Sequence, residues 1–182
     1  RYLIGSTKMF VDGTHYRTIW LDTQTKQVQI IDQTFLPHKF VVAALTNLEE
    51  VAHAIETMQV RGAPLIGASA AYGIALAMRH DSSDMALHKA IERLKKTRPT
   101  AINLCWALER MRLRLEQLEP KERSATAFRE AAMICDEDVH LCRSIGEHGA
   151  AIIQQAFDAI QVKRPIHILT HCNAGWLATV DW

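Results

Sequence analysis

Gly62-Ala63-Pro64-Leu65-Ile66-Gly67-Ala68-Ser69-Ala70-Ala71-Tyr72-Gly73-Ile74-Ala75-Leu76-Ala77-Met78 is the longest stretch of this sequence without a charge. It approaches membrane-spanning length but is rich in alanine and glycine, and it reads as a helix buried inside a protein. Pro64 suits a first helical turn, where its missing N–H costs nothing. A helix buried on all sides needs other helices around it, and the sequence supplies them. Leu48, Val51, Ala52 and Ile55 follow helical spacing, with Thr46 or Asn47 as cap. Leu87, Ile91 and Leu94 repeat the pattern, and Ala101–Leu118 reads as another helix with Thr100 as N-cap. After Pro120 a long helical stretch follows, with a break expected near Ser144–Gly146. Its apolar positions include Ala127, Ala131, Ile134, Val139, Ile145, Ile152 and Phe157.

Upstream the texture is β-like. Thr18–Asp22 and Gln27–Asp32 are β-branched runs separated by polar turn residues, a hairpin pattern, and Lys39–Leu45 suits a third strand behind Pro37. Downstream, Lys163-Arg164-Pro165 ends the helical region, because proline disfavours helix in the residue before it. Ile166–Thr170 then reads as a short strand, and His171–Gly175 as the loop after it, the way an open α/β domain begins. The fold class expected is α+β, mainly α. A small N-terminal antiparallel sheet (1–46) precedes a helical bundle (47–163) and the first strand of a truncated Rossmann-like domain (164–182). Trp20 and Trp106 are expected in the core.

The 182 residues carry a net charge of +1, with 48% apolar and 23% charged residues. That balance suits a globular protein and argues against a broad electrostatic footprint for nucleic acid or anionic membrane. The four cysteines form no C-x-x-C pair and are expected to be reduced thiols. No signal-peptide pattern opens the sequence, so a cytoplasmic location is expected. The histidines show no zinc-like spacing, and no metal site is expected.

Three places suggest chemistry. Arg61-Gly62-Ala63-Pro64 precedes the apolar helix, so an arginine stands beside a helix N-terminus, where backbone N–H groups and the dipole attract an anion. Gly62 would let backbone approach a ligand closely. Arg98-Pro99-Thr100 repeats this arrangement ahead of the next long helix. An ordinary helix start with a solvated arginine is the alternative at both places. The third is Cys172, just past a strand end and next to His171, suited to acid, base or nucleophile chemistry or else to packing the strand end.

These residues also carry a resemblance. Arg61–Gly67, Arg98–Leu104 and Leu169–Gly175, with the early Thr18–Asp22 run, resemble the N-terminal half of methylthioribose-1-phosphate isomerases in order and separation. Leu65, where alanine is expected, is the departure. The resemblance implies that Arg61, Gly62, Ala63 and Arg98 hold a sugar phosphate and that Cys172 is the catalytic thiol. It also implies an aspartate proton donor that no position of this sequence matches, so these residues alone are expected to be inactive. The implied reaction turns 5-methylthioribose 1-phosphate into 5-methylthioribulose 1-phosphate in methionine salvage, with no metal or organic cofactor, in a homodimeric parent. Alternatives are an isomerase of 5-deoxyribose 1-phosphate or ribose 1,5-bisphosphate, and a non-catalytic relative of the translation initiation factor 2B regulatory subunits.

Overall fold

The computed structural model describes residues 9–160 and 164–182. The central element is the helix read from the uncharged stretch. This helix, α2 (Ala63–His80), is buried at every residue from Leu65 through Leu76. Around it pack α1 (Leu48–Glu56), α3 (Asp84–Lys95), α4 (Ile102–Leu115) and α5 (Pro120–Ala159). Its small residues set the spacing: a Cβ on Gly73 would lie 3.0 Å from both Val51 of α1 and Leu94 of α3.

Two antiparallel sheets precede the helices. β1 (Phe10–Val11) and β2 (Thr14–His15) pair across Asp12-Gly13, both at positive φ. That dipeptide is a hairpin signal passed over in the sequence. β3 (Ile19–Leu21), β4 (Val28–Ile31) and β5 (Val42–Leu45) form the expected meander, with Ile19 opposite Ile30 and Val28 opposite Leu45. The Asp22 carboxylate accepts from the Gln24 and Thr25 N–H groups and shapes the turn between β3 and β4. Ile19, Val28, Ile30 and Leu45 join the same apolar core as α1 and α2, so sheet and bundle bury their surfaces against one another.

α5 departs from expectation. It runs unbroken through Ser144–Gly146 over 40 residues, or about 60 Å at 1.5 Å per residue. Its start is fastened by Arg123, which is 3% exposed. That guanidinium donates to the Leu115, Leu118 and Ser82 carbonyls and pairs with Asp84. Beyond Cys135 none of its residues is buried, and Ile145 and Ile152 are exposed rather than core.

Other expectations need correction. Thr100 does not cap α4, whose N-cap is Ala101. Trp106 is 49% exposed under the Arg110 guanidinium, and Trp20 is only half-buried, against Tyr16. Ile166–Thr170 forms no strand and lies mostly exposed, since among the described residues no strand pairs with it. The boundary expected at Lys163 falls outside the described residues, and α5 already ends at Ala159. No helix among the described residues is long and apolar enough to cross a membrane.

Candidate functional site

α2 and α4 begin side by side, and Gly67 is the reason. A Cβ there would lie 2.9 Å from the Asn103 carbonyl oxygen, so only glycine lets the first turn of α4 rest on α2. The two helix starts thus open on one cavity of about 900 Å³. Arg61, Gly62 and Ala63 line it from one start, Arg98 and Asn103 from the other, and Cys172 with Asn173 from the C-terminal segment. The convergence that spacing alone left open is present: Arg61, Gly62, Ala63, Arg98 and Cys172 all line the same space.

Its electrostatics favour an anion. Asn47 and Ser83 cap α1 and α3 with their side chains, whereas α2 and α4 have no side-chain cap. Their first-turn N–H groups and positive dipole ends are therefore left at the cavity. Arg17, Arg93, Arg110, Arg112, Arg123 and Arg143 are all held in ion pairs. The guanidinium groups of Arg61 and Arg98 have no such partner, nor a hydrogen bond, among the described residues. No carboxylate is among the described residues that line this cavity. Two unneutralised cations face a space with no opposing charge.

Cys172 is the one exposed cysteine of the four, and it stands at φ 66, in the left-handed region. Cys135, by contrast, is buried against Tyr72, and burial pushes its thiol up to about 12. His171 is exposed and does not line the cavity.

What brings Cys172 here is the segment that follows it. After Gly175 a 3₁₀ turn, Trp176–Ala178, presses Ala178 against Gly62. Gln33 Nε2 donates to the Leu177 carbonyl at 2.6 Å, and Thr18 donates through Oγ1 to the Thr179 carbonyl and through N–H to that of Val180. Asp138 of α5 accepts from the Val180 N–H at 2.8 Å, and His15 meets buried Asp181 at 2.7 Å. Sheet, α2 and α5 together fix the root of the Cys172 loop. Sequence reading missed this clamp, and it missed Met58, which lines the cavity at φ 62 where a glycine would have been the signal. Asn103, inside the Arg98–Leu104 motif, also lines the cavity, and nothing in the sequence marked it out.

A helical bundle on a small antiparallel sheet is an α+β architecture shared with known proteins. The chain belongs to the Initiation factor 2 subunit family, whose model matches residues 59–180. It is 56% identical over 174 residues to a methylthioribose-1-phosphate isomerase of Rhodospirillum centenum, covering 96% of this chain and 46% of that one. One from Paramagnetospirillum magneticum is 58% identical, with 48% of its length covered. The chain spans about half the length of these curated relatives. Among solved structures, 5-methylthioribose 1-phosphate isomerase from Pyrococcus horikoshii OT3 superposes with a TM-score of 0.75 at 40% identity, covering 91% of this chain and 46% of that one. Translation initiation factor eIF-2B, subunit delta, from A. fulgidus gives the same TM-score and identity, with 92% and 48% covered.

Proposed function

We propose that this chain is the phosphate-holding and thiol-bearing part of an aldose–ketose isomerase that converts 5-methylthioribose 1-phosphate to 5-methylthioribulose 1-phosphate, a cytoplasmic step of methionine salvage. The observation that carries this reading is the meeting of two unpaired arginines and one exposed thiol on a single cavity. Arg61 and Arg98 hold the phosphate with the first-turn N–H groups of α2 and α4, and Gly62 and Ala63 offer backbone to it. Phosphate on the anomeric oxygen blocks simple opening to an aldehyde, so the ring must open with acid–base help while the phosphate stays attached. Hydrogen then passes from C2 to C1. Cys172 as thiolate takes the C2 proton in an enediol route, or stabilises the sugar in a hydride route. The resemblance implies an aspartate proton donor that matches no position of this sequence, and in this reading it comes from the part of a homodimeric isomerase that these residues do not cover.

Calorimetric titration of the chain with 5-methylthioribose 1-phosphate tests the binding half. Arg61→Ala and Arg98→Ala should each weaken binding about 10-fold or more, the worth of one charged hydrogen-bonding partner. Equal affinity in the double variant overturns the reading. The likeness to the A. fulgidus factor keeps an interaction protein as a second reading, because its fold matches equally well. Turnover by the chain joined to the remaining half of such an isomerase, and its loss in Cys172→Ala, separates the two.

A further inference from the structure

α2 ends, as it begins, on a hollow. Its last turn, the start of α1 and one face of α3 enclose a space of about 750 Å³, within the range of small-molecule pockets. The floor is apolar, made by Leu48, Leu76, Ala77, Ala86 and Ala90. The alanines leave the room, because they stand where longer side chains would fill the gap between α2 and α3. The 18 residues of α2, or about 27 Å, separate this hollow from the cavity at Arg61 and Arg98. Among the described residues, none lines both.

The rim sets Arg79, Lys89 and Arg93, with His80, against the carboxylates of Glu49 and Asp81. Arg93 is neutralised by Glu49 and Glu56. Arg79 is not: its guanidinium donates to the Lys26 and Thr46 carbonyls and lies over the Phe128 ring, all uncharged partners. That grip fixes the direction of the fork and leaves its full charge. Lys89 has no hydrogen bond or ion pair among the described residues. Asp81 feels Lys89 through space, but its carboxylate accepts from the Ser83 N–H. At the start of α1 the Asn47 side chain accepts from Glu50, which leaves the Leu48 and Glu49 N–H groups for a ligand.

We propose that this hollow is a second small-molecule site, one that takes an apolar monocarboxylate. The hydrocarbon part covers the floor of alanines and leucines and leaves water there. The single negative charge meets the guanidinium of Arg79 and the ammonium of Lys89. One charge fits the rim and two do not, because Glu49 and Asp81 repel a dianion at the same distance. A phosphate monoester, suited to the cavity at the other end of α2, is thereby disfavoured here. The site stands apart from the isomerase reading and survives its failure.

The probe is octanoate, titrated into the 182-residue chain while methyl groups are followed by NMR. Saturating shifts should appear at the methyls of Leu48, Ala77, Ala86 and Ala90, and the Ala63 methyl at the other cavity should not move. Binding in the millimolar range or tighter is what about ten non-hydrogen atoms support. Octylamine, with a chain of the same length and the opposite charge, should bind about 10-fold more weakly or worse. Lys89 is exposed, so Lys89→Glu leaves the core alone, and it should weaken octanoate about 10-fold. Circular dichroism checks that the variant is folded. Shifts confined to Leu141, Ile145 and Ile152 on the exposed face of α5 would overturn the proposal. So would the absence of saturating shifts, equal binding of octylamine, or unchanged affinity in Lys89→Glu.

Discussion

Gly62 and Ala178, 116 positions apart in sequence, are packed so closely that a Cβ on Gly62 would lie 2.3 Å from the Ala178 Cα. Gly62 also stands at φ 97, a conformation that side chains rarely adopt. The contact joins the start of α2 to the segment behind Cys172, so it sets the distance between the candidate anion site and the thiol. Gly62→Ala should detach residues 176–182 from α2 and cost ~2–3 kcal/mol through strain and overlap together. Urea unfolding reads the loss. A variant as stable as the parent would show that the contact does not hold the loop.

The arginines divide into two groups with opposite expected outcomes. Arg123 is buried and ties α5 to the end of α4 and the start of α3 through three carbonyls and Asp84. Arg123→Met leaves those carbonyls and that carboxylate without their partner and should cost ~3 kcal/mol. Among the described residues Arg61 and Arg98 have no partner to lose, so Arg61→Ala and Arg98→Ala should stay within ~0.5 kcal/mol of the parent. Melting curves of the three variants make the comparison. A large loss in Arg61→Ala would give that residue a structural role instead.

Much of this arrangement was legible because it is local. The uncharged run from Gly62 to Met78 declared a buried helix, and Pro64, three residues after Arg61, and Pro99, next to Arg98, marked two helix starts. The meeting of those starts was not legible, because it depends on Gly67 lying against the Asn103 carbonyl, a contact between helices distant in sequence. The α5 break was expected from Ser144 and Gly146, both weak helix formers, yet neighbouring residues carry the helix through. Ile166–Thr170 has the composition of a strand, but a strand also needs a partner, and composition does not supply one. The clamp on Leu177–Asp181 draws on Thr18, Gln33 and Asp138, three residues that share no pattern in sequence.

Asp138 gives that clamp a pH dependence with a definite sign. Burial raises its carboxyl above the usual aspartate range, against the lowering effect of the Val180 N–H. The folded state therefore holds this proton more tightly than the unfolded chain, and the contribution of Asp138 to stability falls as pH rises from the unfolded pKa through the folded one. Asp138→Asn keeps an oxygen to accept from Val180 and removes the half-buried charge. The variant should be the more stable protein at pH 7, with the advantage shrinking in acid as the parent aspartate becomes neutral. Urea unfolding at pH 7 and pH 4 checks this, and an advantage that grows in acid would reverse the assignment.

Thiol reactivity should separate Cys172, the one exposed cysteine, from half-covered Cys105 and Cys142 and from buried Cys135. Only the thiolate attacks a disulfide reagent, and the reagent must also reach it. Burial pushes Cys135 up to about 12, so it stays a protonated thiol at pH 8. Burial also raises Cys142, which is half-covered beside Asp138. Cys172 is exposed at the mouth of a cavity with two unpaired guanidinium groups. The native chain at pH 8 should therefore show one fast-reacting thiol, absent from Cys172→Ser, with Cys135 appearing only on unfolding. Inorganic phosphate at the helix starts should slow the fast reaction by covering the cavity, and should do so far less in Arg61→Ala. A fast phase that survives in Cys172→Ser would place the accessible thiol elsewhere, and one indifferent to phosphate would separate the thiol from the anion site.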